Sequence, residues 1–148
     1  LNVLLSMQLF LYIFIFWIFQ PNTILTSKTD NYISVTISGI HEDKGQIRLG
    51  LFKNAASFPL QGKQYKGYLI DVENKKASIK IHNIPKGTYA IGVMHDTNTN
   101  EKLDKNWVGY PIELYGFSND ARATFSAPSF ESASFYHDGS TTMTIKVF

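Results

Sequence analysis

Two patterns of hydrophobic and polar positions succeed one another along the chain. The first is an apolar block: sixteen of the first 19 residues are apolar, and Leu9–Phe19 (LFLYIFIFWIF) runs for eleven without interruption. That length fits the apolar core of a secretory signal, roughly 7–15 residues. It falls short of the about 20 that a membrane-spanning helix needs. Extended back to Val3, the block reaches 17 positions broken by Ser6 and Gln8, which keeps an uncleaved anchor as the alternative. Residues 1–27 are therefore expected to form a signal peptide or N-terminal anchor, with cleavage near Thr26 or Ser27 in the polar stretch Pro21–Asp30. The protein is expected to be extracytoplasmic: periplasmic, secreted or at the cell surface.

From residue 30 onward the period is two. Ile33, Val35 and Ile37 alternate with Ser34, Thr36 and Ser38, and Ile47, Leu49 and Leu51 with Gln46, Arg48 and Gly50. The same alternation places Ala77, Ile79 and Ile81, then Tyr89, Ile91 and Val93, then Met143, Ile145 and Val147 on one face of each segment. Alternation of this kind predicts half-buried strands, apolar inward and polar outward. The outer positions beside Tyr89–Val93 are Ala90, Gly92 and Met94, less polar than the rest. Turn chemistry separates the strands at Asp43-Lys44-Gly45, Ile84-Pro85-Lys86-Gly87 and His137-Asp138-Gly139-Ser140. No segment shows a helical period. The pattern predicts one all-β domain over residues 28–148, a β-sandwich of about seven antiparallel strands. Ser57–Tyr68 reads as a connection, and the long irregular stretch from Asp96 to about Pro128 is where function is expected to concentrate.

Composition narrows the classes. The 148 residues suit a single domain. Fourteen basic and twelve acidic side chains are spread without a basic block, and none precedes Lys28, so a phosphate-tracking nucleic-acid face is excluded. With no cysteine there is no disulfide, no zinc–cysteine site and no cysteine nucleophile.

The candidate chemistry lies in Asp96-Thr97-Asn98-Thr99-Asn100-Glu101-Lys102-Leu103-Asp104. Oxygen-bearing side chains at positions 1, 3, 5 and 9 are how a short loop closes around a hard cation, with the residue at position 7 giving its backbone carbonyl. The expected metal ligands are Asp96, Asn98, Asn100, Lys102 and Asp104, with Glu113 added if the chain folds back, and Ca2+ is the cofactor they would take. Two features depart from that pattern: Glu101 stands where Gly usually makes the sharp turn, and Trp107 stands where a bidentate Glu is usual. The alternative is an Asx-rich turn bonded to its own amides.

Gly87-x-Tyr89-Ala90, His95-Asp96-x-Asn98-x-Asn100-x-x-Leu103-Asp104 and Gly109-x-Pro111-x-Glu113-x-x-Gly116-Phe117-Ser118-Asn119 occur in one order and spacing. On these motifs the chain resembles the exported bacterial family catalogued as domain of unknown function 2141, from about Val35 to Val147. The resemblance implies an extracytoplasmic sandwich similar to immunoglobulin-like or transthyretin-like domains, and no particular activity. In the family a Gly usually follows the second Asn, and Glu101 departs from it.

The four histidines lack metal-site spacing. His41, His82 and His137 are expected to be exposed. His95 shares the face of Ile91 and Val93 and is expected to be hydrogen-bonded beneath the loop. A hydrolase would use it with Asp96 or Glu113. Trp107, Tyr110, Tyr115 and Phe117 are expected to cover the open end of the sandwich, as large rings usually bury; left exposed, they would stack on sugar rings. Ser118-Asn119-Asp120 reads as a turn. The leading expectation is a non-enzymatic exported module with a calcium-binding loop, the alternative a glycan- or protein-binding surface module using residues 107–117.

Overall fold

The computed structural model describes residues 31–148; the expected signal or anchor, residues 1–27, lies outside the described residues. Among the described residues the chain forms β1 (Tyr32–Ser38), β2 (Gln46–Phe52), β3 (Lys66–Asp71), β4 (Ala77–His82), β5 (Gly87–Asp96), β6 (Tyr115–Phe117), β7 (Phe135–His137) and β8 (Ser140–Lys146). One sheet has the order β4-β1-β8, and the other β3-β2-β5-β6, with β7 also paired to β5. β6 and β7 take the same edge of β5 at different ends, β6 at Gly92–Met94 and β7 at Gly87–Tyr89.

The alternating positions build the core between the two sheets. Ile33, Val35 and Ile37 of β1 meet Ile47, Leu49 and Leu51 of β2, Tyr89, Ile91 and Val93 of β5, and Ile145 of β8 in one buried cluster. Burial of one face fixes register, because a slip of one residue would turn each of these side chains outward. Among the described residues, 31–148, the two sheets and this cluster form one core, so this segment holds a core of its own.

The structure departs from the sequence-based expectation at four places. β1 and β8 pair in parallel, Tyr32 opposite Ser140 through Ser38 opposite Lys146, so the sheets are not wholly antiparallel. A parallel pair needs a long connection, and here the rest of the domain provides it. β3 begins inside the stretch taken for a connection, bonded to β2 from Lys66 onward. A one-turn helix, α1 (Phe130–Ala133), forms where no helix is predicted; Ser129 caps it by accepting the Ser132 amide, and four residues are too few to show a period. His137 is fully buried instead of exposed, because β7 carries it against Gly87 and the turn starts one residue later. Its Nδ1 lies 2.8 Å from Thr141 Oγ1 and its ring meets Tyr89 edge-on. His41 and His82 are exposed as expected.

Candidate functional site: a braced loop beside a groove

At the end of β5 successive side chains leave on opposite faces. His95 turns inward, where its Nε2–H donates to the Lys44 carbonyl at 2.7 Å. Asp96 turns outward beside Arg48, two positions along the face from Met94. Each of the two is only 1% exposed. Gly45, at φ +68°, closes the turn against this point: a β-carbon there would lie 2.2 Å from the Asp96 carbonyl oxygen, so no other residue fits.

The Asp96 carboxylate organises the loop that follows. Oδ1 accepts the Asn100 amide at 3.1 Å, and Oδ2 accepts the Glu101 amide at 2.9 Å and Arg48 Nε at 2.8 Å. Burial raises the carboxyl's pKa, but the guanidinium and the two amides outweigh it and hold the group below its ordinary value. The same bond to Asp96 raises the Arg48 pKa. Arg48 Nη2 also reaches the Glu101 carboxylate at 3.0 Å. Glu101 itself sits at φ +69°, the left-handed conformation that a Gly would take without cost.

The expected ligand side chains do come together. Asn98 Nδ2 and Asn100 Nδ2 donate to the two oxygens of Asp104 at 2.7 and 2.9 Å. Asn98 Oδ1 accepts the Asn100 amide at 3.1 Å, and Asn100 Oδ1 accepts the Lys102 amide at 2.8 Å. Lys102 thus enters through its N–H. Glu113 folds back, but to the base of the loop: Oε1 accepts the Thr97 amide at 2.9 Å and the Thr97 hydroxyl at 3.1 Å, and Oε2 accepts the Asp104 amide at 3.1 Å. Among the described residues no three His, Asp or Glu side chains are grouped closely enough to hold a metal ion.

Between Asp104 and Glu113 the chain makes a small hairpin. Lys105 bridges Pro111, the Ile112 amide donates to the Asp104 carbonyl at 2.9 Å, and Asn106 Oδ1 accepts the Val108 and Tyr110 amides at 3.1 and 2.9 Å. Its tip presents Trp107, 94% exposed, with Val108 and Tyr110 each 62% exposed. Burial was the expectation for these rings, and it holds only for part of the set. Phe117 is buried and Tyr115 packs beside it, in a satellite cluster with Phe52, Phe58 and Ala90 on the outer face of the second sheet. Trp107 and Tyr110 cannot join them, because the Asn106 turn carries them outward.

The pair His95–Asp96 that a hydrolase would use is not formed, since the two side chains occupy opposite faces. His95 and Glu113 share a cavity of about 190 Å3 with His41 and Glu42, but both Glu113 oxygens accept from the loop. Ser118 does more than turn the chain: its buried hydroxyl accepts the Ile91 amide at 2.9 Å and donates to the Ala133 carbonyl at 2.5 Å, tying α1 to β5.

A groove of about 870 Å3 lies beside the hairpin, on the outer face of the second sheet. Its floor is a row that neither composition nor spacing reveals: Gly67, Gly50 and Gly92 stand opposite one another on β3, β2 and β5, and Phe117 of β6 follows in register. The row leaves room for side chains to lie flat. A β-carbon on Gly50 would meet the Phe52 ring at 2.8 Å, and one on Gly67 the Gln64 amide at 3.0 Å.

No curated protein and no solved structure matches the chain. Residues 35–145 match the family described as an uncharacterized protein conserved in bacteria, domain of unknown function 2141. That match covers most of the chain, and the chain belongs to this family.

Proposed function

We propose that the domain is a non-catalytic binding module acting outside the cytoplasm, and that a glycan is what it binds. The observation that carries this reading is the exposed pair Trp107 and Tyr110 on a hairpin fixed at both ends. Exposed apolar side chains gathered in one patch, here Trp107, Val108, Tyr110 and Ile112, mark interaction sites, and a flat ring on a rigid support meets a sugar face with little entropy to lose. Export rests on the apolar run Leu9–Phe19. Two sheets closing on one shared core support an arrangement similar to immunoglobulin-like or transthyretin-like domains. The test is retention on immobilised polysaccharides, acidic and neutral. The wild type should be retained, and Trp107→Ala should lose at least tenfold in affinity with unchanged melting. Retention on none of them, or equal retention of the variant, would overturn the reading.

A second reading is that the Asp96–Asp104 loop takes Ca2+. Two features favour it: Asp96 accepts the amides at positions 5 and 6 of the loop, and position 6 has the positive φ that a cation loop's Gly supplies. Against it stands Arg48, whose guanidinium already neutralises Asp96 Oδ2. With the loop stapled by its own bonds, Asn98 and Asn100 would join Asp96 and Asp104 at an ion only by turning oxygen toward it in place of amide nitrogen.

A further inference from the structure

We infer that the groove over the glycine row is the seat of an acidic polysaccharide, a chain of uronate sugars, with Lys102 and Lys105 receiving its carboxylates. The inference rests on the glycan-binding reading and assigns that reading a site and a ligand class.

The groove's charge is one-sided. The chain as a whole is nearly balanced, fourteen basic against twelve acidic side chains. Among the described residues lining the groove, Arg48, Lys102 and Lys105 are basic and none is acidic. Arg48 is already paired with Asp96 and Glu101. Lys102 and Lys105 form no ion pair among the described residues, and both are exposed on the hairpin side of the groove. A compact ammonium on a flexible stem suits a point contact with a carboxylate.

Shape selects a ring-bearing chain over other anions. Four strands at about 4.8 Å spacing make a trough roughly 14 Å across, enough for two or three sugar units. Phe52, Phe117 and Gln64 lie over the glycine row and make a low floor, and the volume above it falls within the usual range for ligand clefts. Tyr110 and Phe125, both exposed, offer apolar faces to C–H groups, while Gln61 and Gln64 offer amides that both donate and accept, as hydroxyls require. Lys105, Gly109 and Tyr110 of the hairpin line the groove and Trp107 stands exposed on the same hairpin, so a polymer can continue beyond the groove where a small anion would end.

The experiment is electrophoresis of residues 28–148 through gels containing polygalacturonate, its methyl ester, or polyacrylate, with the wild type, Lys102→Glu/Lys105→Glu and Gly92→Leu. Both lysines are exposed, so the double variant should melt as the wild type does. A β-carbon on Gly92 meets the Phe117 ring at 3.5 Å and the Phe52 ring at 3.8 Å, both ordinary contacts, so a larger side chain there fills the groove floor. Polygalacturonate should retard the wild type at least tenfold more strongly than the methyl ester or polyacrylate does, and less so as salt is raised. The double variant should lose that retardation, and Gly92→Leu should weaken it if folded; the lysine variant decides alone if it is not. Equal retardation by polygalacturonate and its methyl ester would overturn the anionic ligand and leave the glycan reading standing. Equal retardation by polyacrylate would reduce the site to charge alone and overturn the groove. Retardation by none of the three overturns the inference, and the polysaccharide retention of Trp107→Ala then judges the broader reading separately.

Discussion

At the scale of single residues the loop depends on Asp96. A buried carboxylate costs several kcal/mol in desolvation, and Arg48 together with two amides offsets that cost. Removing the guanidinium leaves the charge buried, so Arg48→Met should lower stability by about 3 kcal/mol at neutral pH. The pH dependence follows from the sign of the shift. In the wild type the folded pKa is depressed, so its contribution is present above about pH 4 and is lost as pH falls through the folded value. In the variant burial dominates and the folded pKa rises, so protonation relieves it. The stability gap between the two should therefore narrow as pH falls from 7 to 3 in urea unfolding series; a constant gap would contradict the assignment. Glu101 is the second such residue. Its left-handed backbone costs about 1 kcal/mol, while its ion pair with Arg48, on an exposed carboxylate, contributes less than that. Glu101→Gly should raise the urea midpoint by the equivalent of up to about 1 kcal/mol, and a lowered midpoint would mean that the ion pair outweighs the strain. Neither partnership is legible in the chain, because Arg48 and Asp96 are 48 positions apart and meet only through the β2–β5 register.

At the scale of elements, strands with one buried face announce themselves. β1, β2, β4, β5 and β8 follow the alternation read from residues 33–37, 47–51, 77–81, 89–93 and 143–147. β3 escapes because its outer face carries Gly67 and Leu69 in place of polar residues, and because Gly62 and Gly67 imitate a loop. β6 and β7, three residues each, are too short to show any period. The convergence of Asp96, Asn98, Asn100 and Asp104 was legible from spacing; the return of Glu113 to the Thr97 and Asp104 amides was not, since it depends on the hairpin between them. Calcium gives this element its test. With a dissociation constant of roughly 10 μM, 1 mM Ca2+ would add about 2.7 kcal/mol by mass action. That corresponds to a melting shift of roughly 10 °C over EDTA. Mg2+ should do far less, and Asp96→Ala should abolish the effect. A shift below about one degree would leave the loop as a hydrogen-bonded turn, a result the Arg48–Asp96 pair favours.

At the scale of the whole molecule, the second sheet has two working faces. Its inner face completes the core with β1 and β8. Its outer face is divided between the Phe52–Phe58–Phe117 cluster and the groove, and this division explains why Ala90, Gly92 and Met94 are so little polar for an outward row. The Asp96–Glu113 segment rises at one side of that groove as a braced wall, with Trp107 at its tip. Strand pairing creates the glycine row, so the sequence holds its three members without marking them as neighbours. Trp107 also makes the central claim measurable: the chain's other tryptophan is Trp17, so residues 28–148 carry Trp107 alone. The decisive measurement is its fluorescence and acrylamide quenching during titration with oligogalacturonate. The free protein should emit as a solvated indole and quench freely, and saturation should shift emission to shorter wavelength and cut quenching at least twofold. An emission already that of a buried ring, or a signal unmoved at concentrations where the sugar binds, would contradict the account.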